Sequence, residues 1–462
     1  MTDLIAAAPS TAFWTLDRVA RALGAPSSAP HGASMLRGVS TDTRSVSLGD
    51  VFVALVGERF DAHRFLEEAV AAGAAALVVS RAPGIGELGV PVFEVPDTLI
   101  ALGNLARFRR RALGVPVVAI AGSNGKTSTK EIVRAALGAV LHVHATTANL
   151  NNLIGVPLTL LAAPNDCDVI VVELGTNAHG EVARLRAIAE PDVAVVTSIG
   201  EEHLEGFGSL EGVLREESEV FSSSTVAIVP ADQPEIGEAA RSRSRRVVEA
   251  GLDTGDMRAQ QWGLEPDGRG WISIDGDVVR PPLRGAHNLR NTMLALAVAR
   301  ECGVSMADAA RGIAGMPVPA MRTAFASLGR LTLINDAYNA NPASMRAALD
   351  LLEGTGAGRQ RVAVLGTMLE LGAHAKALHA EIARRALRSS VDVIAATGEM
   401  AEALVAAAAG DASGRLVIAP TVDALWPALE PRLTPDAVVL LKASRGIRLE
   451  RLVPHLTAWA TR

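Results

Sequence analysis

The chain has 462 residues, 49% of them hydrophobic and 20% charged, with a formal net charge of −6. At about 100–200 residues per domain this is roughly three globular domains and not a disordered chain. No Lys/Arg block offers a nucleic-acid surface, no apolar stretch reaches the ~20 residues of a membrane span, and Cys167 and Cys302 make neither a disulfide framework nor a zinc site. The apolar stretch 1–10 contains Asp3 and lacks a basic start, so no signal peptide is expected and the cytoplasm is the expected compartment.

In chain order, Val51–Leu55 and Ala75–Ser80 are apolar runs of strand length, and 62–73 between them has helical spacing ending in glycine. Further on, Val115–Ala121, Cys167–Leu174 and Asp192–Ser198 are continuous apolar runs separated by helical segments. That pattern predicts a parallel sheet covered on both faces. Trp262–Pro282 alternates around Pro266, Asp267, Gly268 and Gly270, which predicts a small antiparallel excursion. Helical spacing returns over Asn288–Cys302. Met316–Met321 carries two prolines and is a candidate linker and hinge. Beyond it, Leu331–Ile334, Arg361–Leu365, Val391–Ala396, Leu416–Ala419 and Ala437–Leu441 predict another α/β domain. The expected fold is therefore α/β in three domains. They are 1–112, a small α/β unit; 113–317, a central parallel-sheet domain with the antiparallel excursion; and 318–462, a Rossmann-like domain.

Ala121–Thr127 reads AGSNGKT between an apolar strand and a helix. Backbone N–H groups in such a loop form an anion nest at a helix N-terminus. Lys126 would reach the outer phosphates of a nucleotide and the Thr127 hydroxyl a magnesium ion. The strict P-loop pattern needs glycine where Ile120 stands, so this is a G-x-x-G-K-T variant. Taken alone, the loop does not separate a kinase, an ATPase and a ligase.

Other motifs narrow the choice. They are VELGTN (172–177), VTSIGEEHLEGFGS (196–209), AHNLRN (286–291), NDAYNANPASM (335–345), LGTMLELG (365–372) and KASRGIR (442–448), with VSTDTRSVSLGDVFVALVGERFDAH (39–63) near the start. Together with the phosphate loop and in this order they resemble the Mur ligase family, over essentially the whole chain. NDAYNANP, HLEGFGS and the 39–63 segment are most similar to the branch that adds D-alanyl-D-alanine. The resemblance implies an ATP-dependent carbon–nitrogen ligase of peptidoglycan synthesis. Its substrates would be UDP-N-acetylmuramoyl-tripeptide and D-alanyl-D-alanine, and it would be a monomer inserted in no membrane and bound to no nucleic acid.

The same resemblance implies roles. Gly122, Ser123, Asn124, Gly125, Lys126, Thr127 and Ser128 would hold phosphates, His287 and Asn288 the adenine side, and Asp336, Tyr338 and Asn339 the nucleotide from the last domain. Arg322 would approach the γ-phosphate. Two magnesium ions would be held by Thr127, Glu173 and His203, the last as neutral imidazole. Relatives place a carbamate-modified lysine fourteen residues after His203, where this chain has Glu217. A carboxylate already carries the charge and the oxygen pair that the lysine acquires, so Glu217 is expected to replace it. Ser40, Thr41, Asp42, Thr43, Arg44, Gly57, Arg59, Phe60 and His63 would meet the UDP end of the substrate. Asn149, Asn152, Lys442, Ser444 and Arg445 would lie nearer the peptide and the reacting carboxylate. Ala148, Thr367 and Ala443 depart from the residues usual in relatives. These departures keep a divergent paralogue open, beside a folylpolyglutamate synthase-like ligase and a P-loop kinase or ATP switch. The hinge implies that without ligands the last domain stands away from the central one.

Overall fold

The computed structural model describes residues 13–24, 35–58, 60–81, 88–408 and 414–461. Near the start, four short parallel strands, Val39–Ser40, Val51–Val53, Ala76–Val79 and Val92–Glu94, lie side by side in that order. Alternate side chains leave opposite faces of a strand. Val51, Val53, Ala76 and Val78 therefore pack with Leu102 and Leu105, while Phe52, Leu77 and Val79 pack with Ala62, Leu66 and Ala69 on the other face. Leu102 and Leu105 belong to the helix Thr98–Leu113, which Asp97 caps at its start and Gly114, at φ 66°, ends. The expected helix over 62–73 is a 3₁₀ turn, Ala62–Phe65, running into Leu66–Ala71. Trp14–Thr15 and Met35–Leu36 pair antiparallel; these two-residue strands carry no readable periodicity.

The largest sheet has seven strands in the order Met257–Arg258, Arg246–Gly251, Val226–Pro230, Val193–Val196, Val117–Ala121, Val169–Glu173, Val143–Ala145. Val117–Ala121 sits where the strand order reverses direction. In open α/β sheets ligands bind at the carboxyl ends of strands at such a switch point. The predicted antiparallel excursion is a three-stranded sheet, Gln261–Leu264, Gly270–Ile274 and Asp277–Val279. Residues 316–321 form neither helix nor strand.

The last sheet has six strands in the order Ala324–Leu328, Leu331–Asp336, Val438–Lys442, Arg361–Leu365, Val393–Ala396, Leu416–Ile418. All five strands expected here are present. The sequence reading missed the edge strand Ala324–Leu328, which pairs antiparallel with Leu331–Asp336. Its side chains are half-buried or exposed, so it lacks the apolar run that marks the others. The fold is α/β throughout, as predicted.

By its packing the chain forms two units: Met1–Ala119 with Leu141–Thr176 and Glu181–Val193, and Ile120–Val140 with Asn177–Gly180 and Ala194–Arg462. The second unit holds both the phosphate loop and the last sheet.

Candidate active site

The phosphate loop turns on two glycines. Gly122 has φ 116° and Gly125 φ 86°. A Cβ on Gly122 would come within 2.5 Å of Thr197 Oγ1, and one on Gly125 within 2.7 Å of Asn291 Oδ1. Both positions therefore need glycine for backbone conformation and for space. Gly125 starts the helix Lys126–Leu137 and no side chain caps it. The positive end of the helix dipole thus faces the loop, where an anion is favoured. The loop is braced from the segment after Val193–Val196. Asn124 N–H donates to Ser198 Oγ (3.1 Å), Thr197 Oγ1 donates to Asn124 O (2.6 Å), and Gly200 N–H donates to Ser123 Oγ (3.0 Å). Ser123 and Asn124 thus take part in shaping the loop. Ser128 is buried in the first turn.

Glu217 is 2% exposed, at the end of the helix Leu210–Glu217. Gly122 N–H donates to its Oε2 (2.8 Å), so this carboxylate is aimed at the base of the phosphate loop. Burial pushes its pKa up, against the opposing pull of Lys126 and of the Gly122 hydrogen bond. Lys126 Nζ reaches back to the carbonyl oxygens of Gly122 and Ser123. It also lies 3.8 Å from Glu202 Oε2.

His203 sits at φ 52°, a left-handed conformation. Its Nδ1 pairs with Glu370, and its Nε2 lies 3.4 Å from Glu202 Oε1. Burial works against the charged ring, but the hydrogen bond to Glu370 and the charge of Glu202 outweigh it and raise the pKa. The two carboxylates therefore favour the charged form of the ring. Among the described residues no three His, Cys, Asp or Glu side chains form a preassembled metal cage.

Glu202 was not singled out from the sequence, although it adjoins His203 in GEEHLEGFGS. Asn339 Nδ2 donates to its Oε1 (2.9 Å). Asn341, also missed, donates through Nδ2 to Asn124 Oδ1 (2.8 Å), and its own Oδ1 caps the helix Pro342–Gly354. Gly372 lies close against Glu205, its would-be Cβ 3.0 Å from Glu205 Cα. These contacts join the loops at the strand ends of the last sheet to those around the phosphate loop. Direct hydrogen bonds and the His203–Glu370 pair hold these two groups of loops together.

At the end of Leu331–Asp336, Asp336 Oδ2 pairs with Lys442 Nζ (2.8 Å), which also donates to Asn339 O (2.6 Å). The Tyr338 ring carries the Arg322 guanidinium over its face at 4.2 Å. Ser444 Oγ accepts from Leu369 N–H (2.9 Å), and Arg445 pairs with Glu450 (3.1 Å). Thr367 Oγ1 accepts from Glu399 N–H (3.0 Å), and Ala443 is fully buried. Asn288 Nδ2 donates to Arg284 O (2.8 Å) and lies 3.1 Å from His287 Nε2; burial lowers the His287 pKa.

In the first unit, Glu173 is 3% exposed at the end of its strand. Thr146 Oγ1 accepts from Glu173 N–H (3.0 Å), and Asn151 Nδ2 donates to Glu173 Oε1 (3.0 Å). Asn151 and Thr146 thus orient it, while the expected Asn152 turns back on its own loop to accept from Gly155 N–H (2.9 Å). Asn149 is exposed. Ser40 is buried against Asp42 O, and Thr41 and Thr43 are half-buried beside it. The exposed Arg44 pairs with Asp42 (2.6 Å). His63 Nδ1 pairs with Asp61 (2.8 Å), and its Nε2 accepts from Ser80 N–H (3.0 Å). Phe60 stacks on Phe65 with centroids 5.4 Å apart, and Gly57 N–H closes the turn on Phe60 O (2.8 Å). Arg59 lies outside the described residues.

Phosphate loop, switch point and buried carboxylates define a nucleotide-using α/β enzyme. Three family models match: the Mur ligase family catalytic domain at 35–110, the Mur ligase middle domain at 120–299 and the Mur ligase glutamate ligase domain at 321–445. The chain belongs to the Mur ligase family. It is 35% identical to the UDP-N-acetylmuramoyl-tripeptide–D-alanyl-D-alanine ligase of Bacillus subtilis, over 92% of this chain and 93% of that one. The structure is similar to a crystal structure of MurF from Acinetobacter baumannii, with TM-score 0.89 and 32% identity over 98% of this chain and 100% of that one. It is also similar to MurF ligase from Thermotoga maritima in complex with ADP, with TM-score 0.81 and 27% identity over 92% and 98%.

Proposed function

We propose that this chain joins D-alanyl-D-alanine to UDP-N-acetylmuramoyl-tripeptide with ATP, through an acyl phosphate, giving the pentapeptide, ADP and phosphate. The observation that carries the ATP chemistry is the braced loop Gly122–Thr127, opening onto an uncapped helix at the sheet's switch point. The relatives' names carry the choice of substrates. We assign 1–112 to the UDP-substrate, 113–317 to ATP and 318–462 to the ligase domain. The enzyme acts as a monomer in the cytoplasm. No helix among the described residues is long and apolar enough to cross a membrane.

A carboxylate does not acylate an amine at neutral pH, because oxide is too poor a leaving group. Transfer of the γ-phosphoryl group to the peptide carboxylate makes phosphate the leaving group, and the dipeptide amine then attacks. Lys126 stabilises charge on the transferring oxygens, and Arg322, held over Tyr338, is placed to join it. Lys442, paired with Asp336, and Ser444 orient the incoming groups. Because acyl phosphates hydrolyse, the contacts Asn339–Glu202 and Asn341–Asn124 serve to keep water out.

The donor set suits magnesium: the Thr127 hydroxyl and buried carboxylates are hard oxygen ligands. Magnesium is commonly held by one or two carboxylates and substrate phosphates, not by an all-protein cage. Thr127 and Glu217 would hold it, with His203 once released from Glu370. Bound there, it would neutralise phosphate charge. Glu217 takes the place of the carbamate, already buried and aimed at the phosphate loop. The test is phosphate release from ATP with each substrate separately and with both. Release only with both is expected; release with glutamate and a folate instead would overturn the assignment.

A further inference from the structure

Glu202 is a buried carboxylate with an unusual division of labour. Its side chain is 9% exposed. Oε1 accepts from Asn339 Nδ2 (2.9 Å) and lies 3.4 Å from His203 Nε2. Oε2 has no hydrogen-bond partner among the described residues and lies 3.8 Å from Lys126 Nζ. The anchored oxygen holds the other one facing the cation of the phosphate loop. Glu217 adds a second buried carboxylate at the base of the same loop. A nucleotide arriving without a metal brings phosphate oxygens that compete with Glu202 for Lys126. It also leaves Oε2 as a buried negative charge beside phosphate oxygens without Lys126 to offset it, which is costly. A metal-complexed nucleotide brings its own positive charge and escapes most of that cost.

We propose that Glu202 is a positioning and specificity-determining residue that makes the phosphate loop select metal-complexed ATP over free ATP. The selection works by repulsion of the wrong ligand more than by attraction of the right one. Asn339 and His203 keep the carboxylate in place, so the loops of the last sheet take part in the selection. The inference rests on the ATP-binding role proposed above.

The test measures ATP affinity calorimetrically, in EDTA and in excess magnesium, for the wild type, Glu202→Gln and Glu202→Asp. Gln keeps the size and an oxygen for Asn339 but removes the charge, and Asp keeps the charge. In EDTA, Glu202→Gln is expected to bind ATP at least fivefold more tightly than the wild type. In magnesium the two should agree within about twofold, and Glu202→Asp should resemble the wild type in both. Thermal unfolding checks that each variant folds. Equal affinities of Gln and wild type in EDTA, or a gain in the Asp variant as large as in Gln, would overturn the proposal. Weaker binding of Glu202→Gln in magnesium alone would also overturn it, because Glu202 would then be a metal ligand. A wild type that binds no ATP in either condition would instead refute the ATP-binding role.

Discussion

Replacing Ala148 by glycine should stabilise the protein. Ala148 sits at φ 49°, in the left-handed region, in the turn that Leu150 N–H closes on Thr147 O (3.2 Å). A Cβ in that conformation crowds the following carbonyl and costs about 1–2 kcal/mol. Glycine relieves this but loses about 0.5–1 kcal/mol more backbone entropy on folding. The methyl is exposed, so its removal forfeits no packing. The balance favours Ala148→Gly by about 0.5–1 kcal/mol, and a midpoint rise of about 1–3 °C follows for a unit of this size. Urea unfolding should show a higher midpoint with unchanged slope, because the surface exposed on unfolding is the same. An unchanged or lower midpoint would mean that the turn does not strain the alanine, and the reasoning fails.

Other expectations concern charge. Glu217→Gln should lose roughly 100-fold or more in turnover, and added bicarbonate should not restore it; Glu217→Lys should recover activity only with bicarbonate. Near-normal turnover in Glu217→Gln would remove this residue from the site. Burial lowers the pKa of His144, outweighing the hydrogen bond of its Nε2 to Thr159 O (2.8 Å), which favours the charged form. The unfolded chain therefore takes up the proton more readily. The stability contributed by the neutral ring is present above about pH 6.5 and lost as pH falls. His144→Gln should flatten the fall in urea midpoint between pH 7 and 5, and an identical slope would contradict this. Burial pushes the Cys302 thiol up to about 11, first through desolvation and then through Glu301. At pH 8 about one thiol in a thousand is ionised, so iodoacetamide should leave Cys302 unmodified over an hour; stoichiometric labelling would refute the burial argument.

Much of this was legible in the chain itself. Arg361–Leu365 is a strand over the predicted residues, because a strand buried on both faces must be apolar throughout. Gly122 and Gly125 announced the phosphate loop, since only glycine allows its turns. Less was legible where a residue's role depends on a distant partner. Glu202 and Asn341 lay inside quoted motifs, yet nothing in their spacing marks them. Arg44, expected at the UDP end of the substrate, pairs with Asp42 two residues away, and only the structure shows that partner.

By itself the sequence determined the α/β class and the strand and loop that bear the phosphate site. Local rules govern these: periodicity, glycine conformations and residue chemistry. Only the tertiary structure decided that Glu217 points at Gly122 N–H, that His203 is shared between Glu202 and Glu370, and that Asn339 anchors Glu202. Asn339 and Glu202 are 137 residues apart, and Gly122 and Glu217 are 95. Charges buried in the interior are set by such partners and by the loss of water around them, and neither is written in the neighbouring sequence.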